Sequence, residues 1–266
     1  MNGDGWEKIL WRDQPFSDNY VPPSFLSALK RNANVQPYTY TPLVLATLSI
    51  TQHAAVLFIF LSVFIHLHNE SLDPRLVVWT CIIGIKTVKS SILVFLALIA
   101  VTPVLKTLTE ATSSDSIWAL AAILFGLNVL LADYGGPAPG PHRLTSVMSM
   151  NAAISASVVL ASRLKTNLSV FGLILFAVLL FALFPILRKR LKLCSPLVVS
   201  SITLGITGVS VAVFGSVTPG GAVLLFCALF FITFGCPAVL VWAQKFKNEI
   251  RGPWDPAVPQ VWSAVE

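Results

Sequence analysis

The sequence predicts an all-α protein, a polytopic bundle of about eight transmembrane helices behind a short amphipathic N-terminal tail. Three observations lead there. Of the 266 residues, 55% are hydrophobic and only 11% charged, and the mean hydropathy is +0.78. A soluble domain carries about 25% charged residues, so this chain lacks the polar surface to cover a water-exposed core. Several stretches of span length contain no Asp, Glu, Lys or Arg at all. The basic residues collect in one alternate set of connections, as orientation in a bilayer requires. The net charge of +6 then reflects basic cytoplasmic loops and anionic headgroups, not nucleic acid. Cys81, Cys194, Cys227 and Cys236 show no paired spacing, which argues against a disulfide framework or a zinc ribbon. A soluble enzyme, a secreted scaffold and a DNA binder are excluded together.

Residues 1–42 read as a cytoplasmic, interfacial tail. They are mixed, polar and aromatic, without the apolar run of a cleavable signal peptide. Trp6–Trp11 and Ser24–Arg31 look like short amphipathic pieces, and Trp6, Trp11, Tyr20, Tyr38 and Tyr40 suit headgroup depth. Residues 43–242 form the transmembrane domain. A span needs roughly 17–25 mostly apolar residues, and Leu43–Leu67 is the first. Next comes Leu76–Leu105, whose apolar pieces Leu76–Ile85 and Ser90–Leu105 flank Lys86 and Lys89. Its first piece makes only about 15 Å of helix at roughly 1.5 Å per residue. The region is therefore a hairpin, giving eight spans, or one long helix, giving seven. Ile117–Ala132, Ser146–Ser162, Leu168–Leu187, Leu197–Phe214 and Ala222–Trp242 complete the set. Residues 243–266 form a cytoplasmic tail.

Eight spans with both termini cytoplasmic place all but four (Arg75, Lys106, Arg163 and Lys165) of the 18 Lys and Arg on the cytoplasmic side. Seven would put either the N-terminal tail or the Arg188–Lys192 cluster on the wrong face. The sequons Asn69-Glu70-Ser71 and Asn167-Leu168-Ser169 then face the lumen, hugging the bilayer.

Small residues let helices approach closely in lipid. Ser149, Ala153, Ser157 and Ala161 recur every four residues in the fifth span, and the seventh repeats the pattern in Ser201–Gly205 and Gly208–Ala212. These read as packing seams, with a ligand-lining role as the alternative. Asn151 and Ser155 add a polar stripe suited to interhelical hydrogen bonds. Below the sixth span, Arg188, Lys189, Arg190 and Lys192 read as a topology anchor or as a surface attracting anionic phospholipid.

Chemistry is sparse. All twelve acidic residues lie at span edges or in loops, whereas intramembrane catalysis needs acids or His within the spans. His53, alone deep in a span, reads as a hydrogen-bonded packing residue. His66 and His68 lie about 200° apart around a helix and do not converge on one metal. There is no Asp-x-Asp pair for a metal–nucleotide-sugar complex and no Gly-rich phosphate loop. No catalytic, cofactor-binding or metal-ligating residue is expected. Two segments are denser than a plain connector requires. The first is Thr102-Pro103-Val104-Leu105-Lys106-Thr107-Leu108-Thr109-Glu110, leading to Ser113 or Ser114 as a helix cap. The second is Gly252-Pro253-Trp254-Asp255. Each is a capped turn or a site. In the second, Gly252 and Pro253 would aim Trp254 rigidly at a partner, unless Trp254 simply joins the interfacial belt.

Six motifs in order carry a resemblance. Gln14-Pro15-Phe16-Ser17-Asp18-Asn19-Tyr20-Val21, Thr102–Glu110 with Ser114-Asp115-Ser116, Asp133-Tyr134-Gly135, Ser149-Met150-Asn151-Ala152 through Leu160-Ala161-Ser162-Arg163-Leu164, Phe181-Ala182-Leu183-Phe184-Pro185, and Gly252-Pro253-Trp254-Asp255 resemble the motifs of the PIG-C family of phosphatidylinositol N-acetylglucosaminyltransferase subunits. The chain departs from the pattern at Ile85–Ser91, where the family carries a full second span and a longer basic, Gly-containing connector.

The resemblance implies a multi-span, non-catalytic subunit in the endoplasmic reticulum membrane. Its complex transfers N-acetylglucosamine from a UDP carrier to phosphatidylinositol, the first step of GPI-anchor biosynthesis. Partners would be the catalytic glycosyltransferase subunit, the other subunits, and phosphatidylinositol. Lys106, Thr109, Glu110, Asn151, Arg188, Lys189, Arg190, Lys192, Trp254 and Asp255 are the candidate partner or lipid contacts. The competing readings are a small transporter or lipid scramblase, using Ser149, Asn151, Ser155 and Ser157 as a polar path, and a self-sufficient glycosyltransferase, disfavoured by the missing acids.

Overall fold

The computed structural model describes residues 11, 13, 15, 17, 30–31, 37–85, 113–135, 144–246 and 250–251. Among these the regular structure is helical apart from two two-residue strands, β1 (Lys30–Arg31) and β2 (Ile250–Arg251). The helices are α1 (Tyr40–His68), α2 (Pro74–Ile85), α3 (Ser114–Leu131), α4 (Leu144–Ala161), α5 (Asn167–Ala177), α6 (Phe184–Leu191), α7 (Pro196–Val217), α8 (Pro219–Phe230) and α9 (Cys236–Ala243). A π-helical turn, Val178–Leu183, joins α5 to α6, and another, Phe231–Gly235, joins α8 to α9. Five helical segments are long and apolar enough to cross a membrane, the α5–α6 and α8–α9 pairs counting as one each. Pro74–Ile83 and Ser146–Ala161 are shorter apolar helices. The hairpin expected within Leu76–Leu105 falls largely in residues 86–112, outside the described residues, and with it part of the eight-span count.

The chain divides into two compact units, Met1–Thr39 with Val239–Glu266, and Tyr40–Ala238. In the first unit β1 pairs antiparallel with β2, Lys30 opposite Arg251. The Tyr38 amide donates to Gln244 Oε1 at 2.9 Å, and Gln244 Nε2 donates to Tyr38 O at 3.0 Å. The segment entering α1 is thus clasped to the segment leaving α9.

In the second unit, the main core gathers α1 through α5. Phe60 lies at its centre, fully buried. Its ring meets Phe125 at 5.7 Å, Phe176 at 6.2 Å and Phe181 at 5.3 Å. Ser113 caps α3, its hydroxyl accepting from the Ser116 amide, as the sequence suggested. Ser149, Ala153, Ser157 and Ala161 are all buried, so the fifth span packs on its small-residue face. At Gly172 of α5 an added Cβ would meet Val78 Cγ2 at 3.4 Å and Pro74 O at 3.6 Å; α2 approaches that closely because glycine leaves the room.

The seventh span behaves differently from expectation. Ser201, Gly205, Gly208 and Ala212 are exposed, and a Cβ at Gly205 or Gly208 would have nothing within 4 Å. Helix α7 instead packs on α1 through the opposite face, using polar pairs. Gln52 Nε2 donates to Thr203 Oγ1 at 2.7 Å, Ser210 Oγ donates to Ala55 O at 3.0 Å, and His66 Nε2 meets Ser216 Oγ at 2.8 Å.

Both π turns end two residues before a proline, Pro185 and Pro237. Proline has no N–H and its ring clashes with the carbonyl four residues earlier, so a widened turn accommodates it. For Pro237 that carbonyl belongs to Thr233, and Thr47 Oγ1 of α1 donates to it at 3.2 Å. Thr51 Oγ1 and Thr233 Oγ1 lie 2.7 Å apart beside it.

Candidate functional site

The basic run after the sixth span is not uniform. Arg188 is buried, with 5% of its surface exposed, whereas Lys189 and Arg190 point outward. A helix C-terminus leaves carbonyls unpaired and favours cations. Here the C-terminal turn of α6 meets the loop that ends α3. Arg188 Nη1 donates to Ser49 O at 3.1 Å and Nη2 to Asp133 O at 3.5 Å. Lys192 Nζ donates to Tyr134 O at 2.7 Å and Gly135 O at 2.9 Å. Lys189 Nζ lies 3.6 Å from Asp133 Oδ2. The Arg188 guanidinium sits over the Tyr134 ring, 5.4 Å from its centroid, a cation–π distance. The Asp133-Tyr134-Gly135 turn is therefore the seat of three of the four basic candidates. Burial lowers the Lys192 ammonium from its ordinary range, with the Arg188 charge adding to the effect and Asp133 opposing it. Burial also raises the Tyr134 phenol to about 12, Arg188 working the other way.

A chain of hydrogen bonds runs inward from Tyr134. Its hydroxyl lies 2.8 Å from His53 Nδ1, and His53 Nε2 lies 2.8 Å from Asn128 Oδ1. Asn128 Nδ2 donates to both Ser149 O and Ser149 Oγ at 3.0 Å, and Ser149 Oγ donates back to Asn128 O at 2.7 Å. Because Ser149 O can only accept, the Asn128 amide is fixed with Oδ1 toward His53. A neutral His53 must then carry its hydrogen on Nε2, leaving Nδ1 to accept from Tyr134, an assignment made from the network. Val129 O, 2.9 Å away, competes with His53 Nδ1 for the single Tyr134 hydroxyl hydrogen.

The inner part of this network, His53, Asn128 and Ser149, lines a cavity of about 350 Å³ together with Arg188. Its floor is His53, Asn128 and Ser149; Phe181, Phe184 and Met150 supply apolar wall, and Arg188 and Lys189 close one end. The arrangement can donate several hydrogen bonds and positive charge to a bound group.

The expected site residues separate. Arg188, Lys189 and Lys192 converge, while Arg190 is exposed on the far side of its helix. Asn151 and Ser155 are exposed on α4, whereas Ser149 and Ser157 are buried. These four do not form the continuous polar path a transporter reading needs. Lys106, Thr109, Glu110, Trp254 and Asp255 lie outside the described residues. His53, Asn128 and Tyr134 were not singled out as site residues. A signal existed, since a buried His and a buried Asn in apolar spans must each find a partner, but the sequence does not say that they find each other.

Comparison with known proteins agrees with the motif resemblance. The profile of the family described as phosphatidylinositol N-acetylglucosaminyltransferase, GPI2, matches residues 6–255. A Schizosaccharomyces pombe protein named as the GPI2 subunit of that enzyme is 39% identical, over 96% of this chain and 87% of its own. A Dictyostelium discoideum protein named as a putative C-type subunit of the same enzyme is 37% identical over 95% of this chain and 79% of its own. The human C-type subunit is 33% identical over 95% and 92%. The alignment with the fission-yeast protein extends over 282 residues, more than the 266 of this chain, so that relative carries segments absent here. No solved structure matches the chain. With a profile match over nearly its whole length and relatives above 30% identity, the chain belongs to the GPI2 (PIG-C) family of phosphatidylinositol N-acetylglucosaminyltransferase subunits.

Proposed function

We propose that this chain is a non-catalytic membrane subunit of the complex that transfers N-acetylglucosamine from its UDP carrier to phosphatidylinositol. The complex would lie in the endoplasmic reticulum membrane, with both termini of this chain in the cytoplasm. The observation that carries the reading is the span of the family match, residues 6–255, to relatives named as subunits of that transferase. The sequence has no Asp-x-Asp pair, which agrees with a separate catalytic subunit as partner.

The purified chain alone is expected to transfer no N-acetylglucosamine to phosphatidylinositol, while the complex recovered with it does. A radiolabelled UDP-sugar assay on both preparations checks this, and turnover by the isolated chain would overturn it. Orientation is tested separately, in a chain whose four native cysteines are replaced. A cysteine at Ser195 is expected to react with an impermeant maleimide in sealed microsomes, and one at Ser114 only after permeabilisation. Protection of position 195 would reverse the orientation.

A further inference from the structure

We propose that the cavity at Arg188 is the binding site for the phosphodiester of an anionic phospholipid, which enters sideways from the bilayer. The inference deepens the proposed function and rests on it for one detail only, the preference for an inositol headgroup.

Arg188 is the starting point. A guanidinium has five N–H donors, and the two hydrogen bonds that position it here both go to backbone carbonyls. The Asp133 carboxylate lies 3.6 Å from Lys189, and its charge also acts on Arg188. A charge this buried gains from every anion and hydrogen bond that meets it, and its guanidinium faces the cavity with donors beyond the two that hold it. The fork geometry of Arg matches two phosphate oxygens at once. The Asp133 backbone holds that edge only loosely, its oxygen accepting at 3.5 Å. Lys189 adds a second cation at the same end, and its 3.6 Å pair with Asp133 is loose enough to turn toward a ligand.

The remaining walls fit the rest of a lipid. The cavity of about 350 Å³ falls in the size range of small-ligand pockets. Its polar floor, His53, Asn128 and Ser149, suits headgroup hydroxyls. Its rim includes Val147 and Ile186, both exposed apolar side chains on helices that lie among lipid tails. A soluble phosphate compound gains nothing from such a rim, whereas glycerol and the first acyl carbons do. Arg188 stands one turn before the end of α6 at Leu191, so the phosphate would sit at headgroup depth.

The test uses the full chain in phosphatidylcholine nanodiscs containing a photoactivatable phosphatidylinositol, with labelled peptides mapped by mass spectrometry. Wild type is expected to label at Val147–Met150 and Phe184–Ile186. R188M is expected to lose about tenfold of that labelling, the scale of one strong charge-assisted contact, and R190M to keep it. Unlabelled phosphatidylinositol should compete, and phosphatidylserine less well. Equal labelling of R188M and wild type would overturn the site. Competition by inorganic phosphate or UDP-N-acetylglucosamine, with none by lipid, would assign the cavity to a soluble phosphate and overturn the lipid assignment. If R188M fails to insert, Ile186→Trp narrows the rim without touching the network, and undiminished labelling of that variant would overturn lateral entry. Recovery of the other subunits with R188M is measured in parallel. Loss of labelling with intact assembly supports the site, unchanged labelling with intact assembly sinks the site and spares the proposed function, and a wild-type chain that recovers no subunits sinks the proposed function instead.

Discussion

Phe60→Ala is expected to be among the most damaging single substitutions in the bundle, costing about 3–5 kcal/mol of stability. Inside a membrane the lipid tails are as apolar as the protein core, so helices are held by packing more than by exclusion of water. Phe60 is fully buried, and its ring meets three others, from α3, α5 and the π turn beyond it. Removing it opens a cavity that four rigid helical segments cannot collapse to fill, and each neighbouring ring loses its dispersion contacts on one side. Thermal or SDS-induced unfolding in mild detergent measures the loss. Leu204→Ala, at a residue 75% exposed on α7, is the control and should shift stability by no more than about 0.5 kcal/mol. A similar loss in both variants would mean that the aromatic cluster does not hold the bundle.

Asn128→Leu is expected to do comparable harm by a different route. Leucine is close in size and more apolar, so a purely hydrophobic account predicts a gain. The hydrogen bonds predict a loss. Asn128 accepts from His53 and donates twice to Ser149. Leucine strands the His53 N–H, and the Ser149 carbonyl loses a donor, at roughly 1–3 kcal/mol for each buried group left unsatisfied. A cycle with His53→Phe separates the two accounts. If the network is a unit, the double variant should be less damaged than the sum of the singles. Simple additivity would show that His53 and Asn128 act independently.

The fold class was legible because it depends on composition and on charge-free length, and neither needs the third dimension. The packing face of α4 was legible too, because four small residues at a spacing of four can only line one side of a helix. One reading failed. The small residues of α7 look like those of α4, yet α7 turns them outward and packs through Gln52–Thr203 and Ser210–Ala55. Pattern alone does not say which face of a helix has a partner. The basic run after the sixth span reads as a topology anchor or a surface for anionic phospholipid, and the sequence does not separate Arg188, which is buried, from Arg190, which is not. A π turn adds a residue to the register, shifting everything beyond it by about 100° around the axis. Pro185 is visible in the sequence, but whether a helix answers a proline with a kink, a break or a wide turn depends on its neighbours. His53, Asn128 and Tyr134 come from three separate segments, and only the folded chain brings them together.

The polar side chains of α1 have a consequence for how the protein is made. Gln52 depends on Thr203, whereas the Thr47 and Thr51 hydroxyls also bond within α1, to Val44 O and Thr47 O. That partner is synthesised more than a hundred residues after α1 has left the ribosome. At about 5–20 residues per second, the delay is on the order of ten seconds. Throughout it, a first helix carrying the Gln52 amide must wait in the lipid, or beside the insertion machinery, with that group unanswered. A nascent chain stopped before α7 would keep that need permanently. Such fragments should be recognised as unfinished and degraded, whereas chains stopped just after α7 should survive longer. The age of a nascent chain is in this way written into the hydrogen bonding of its first helix, and quality control within the membrane has a chemical feature to read.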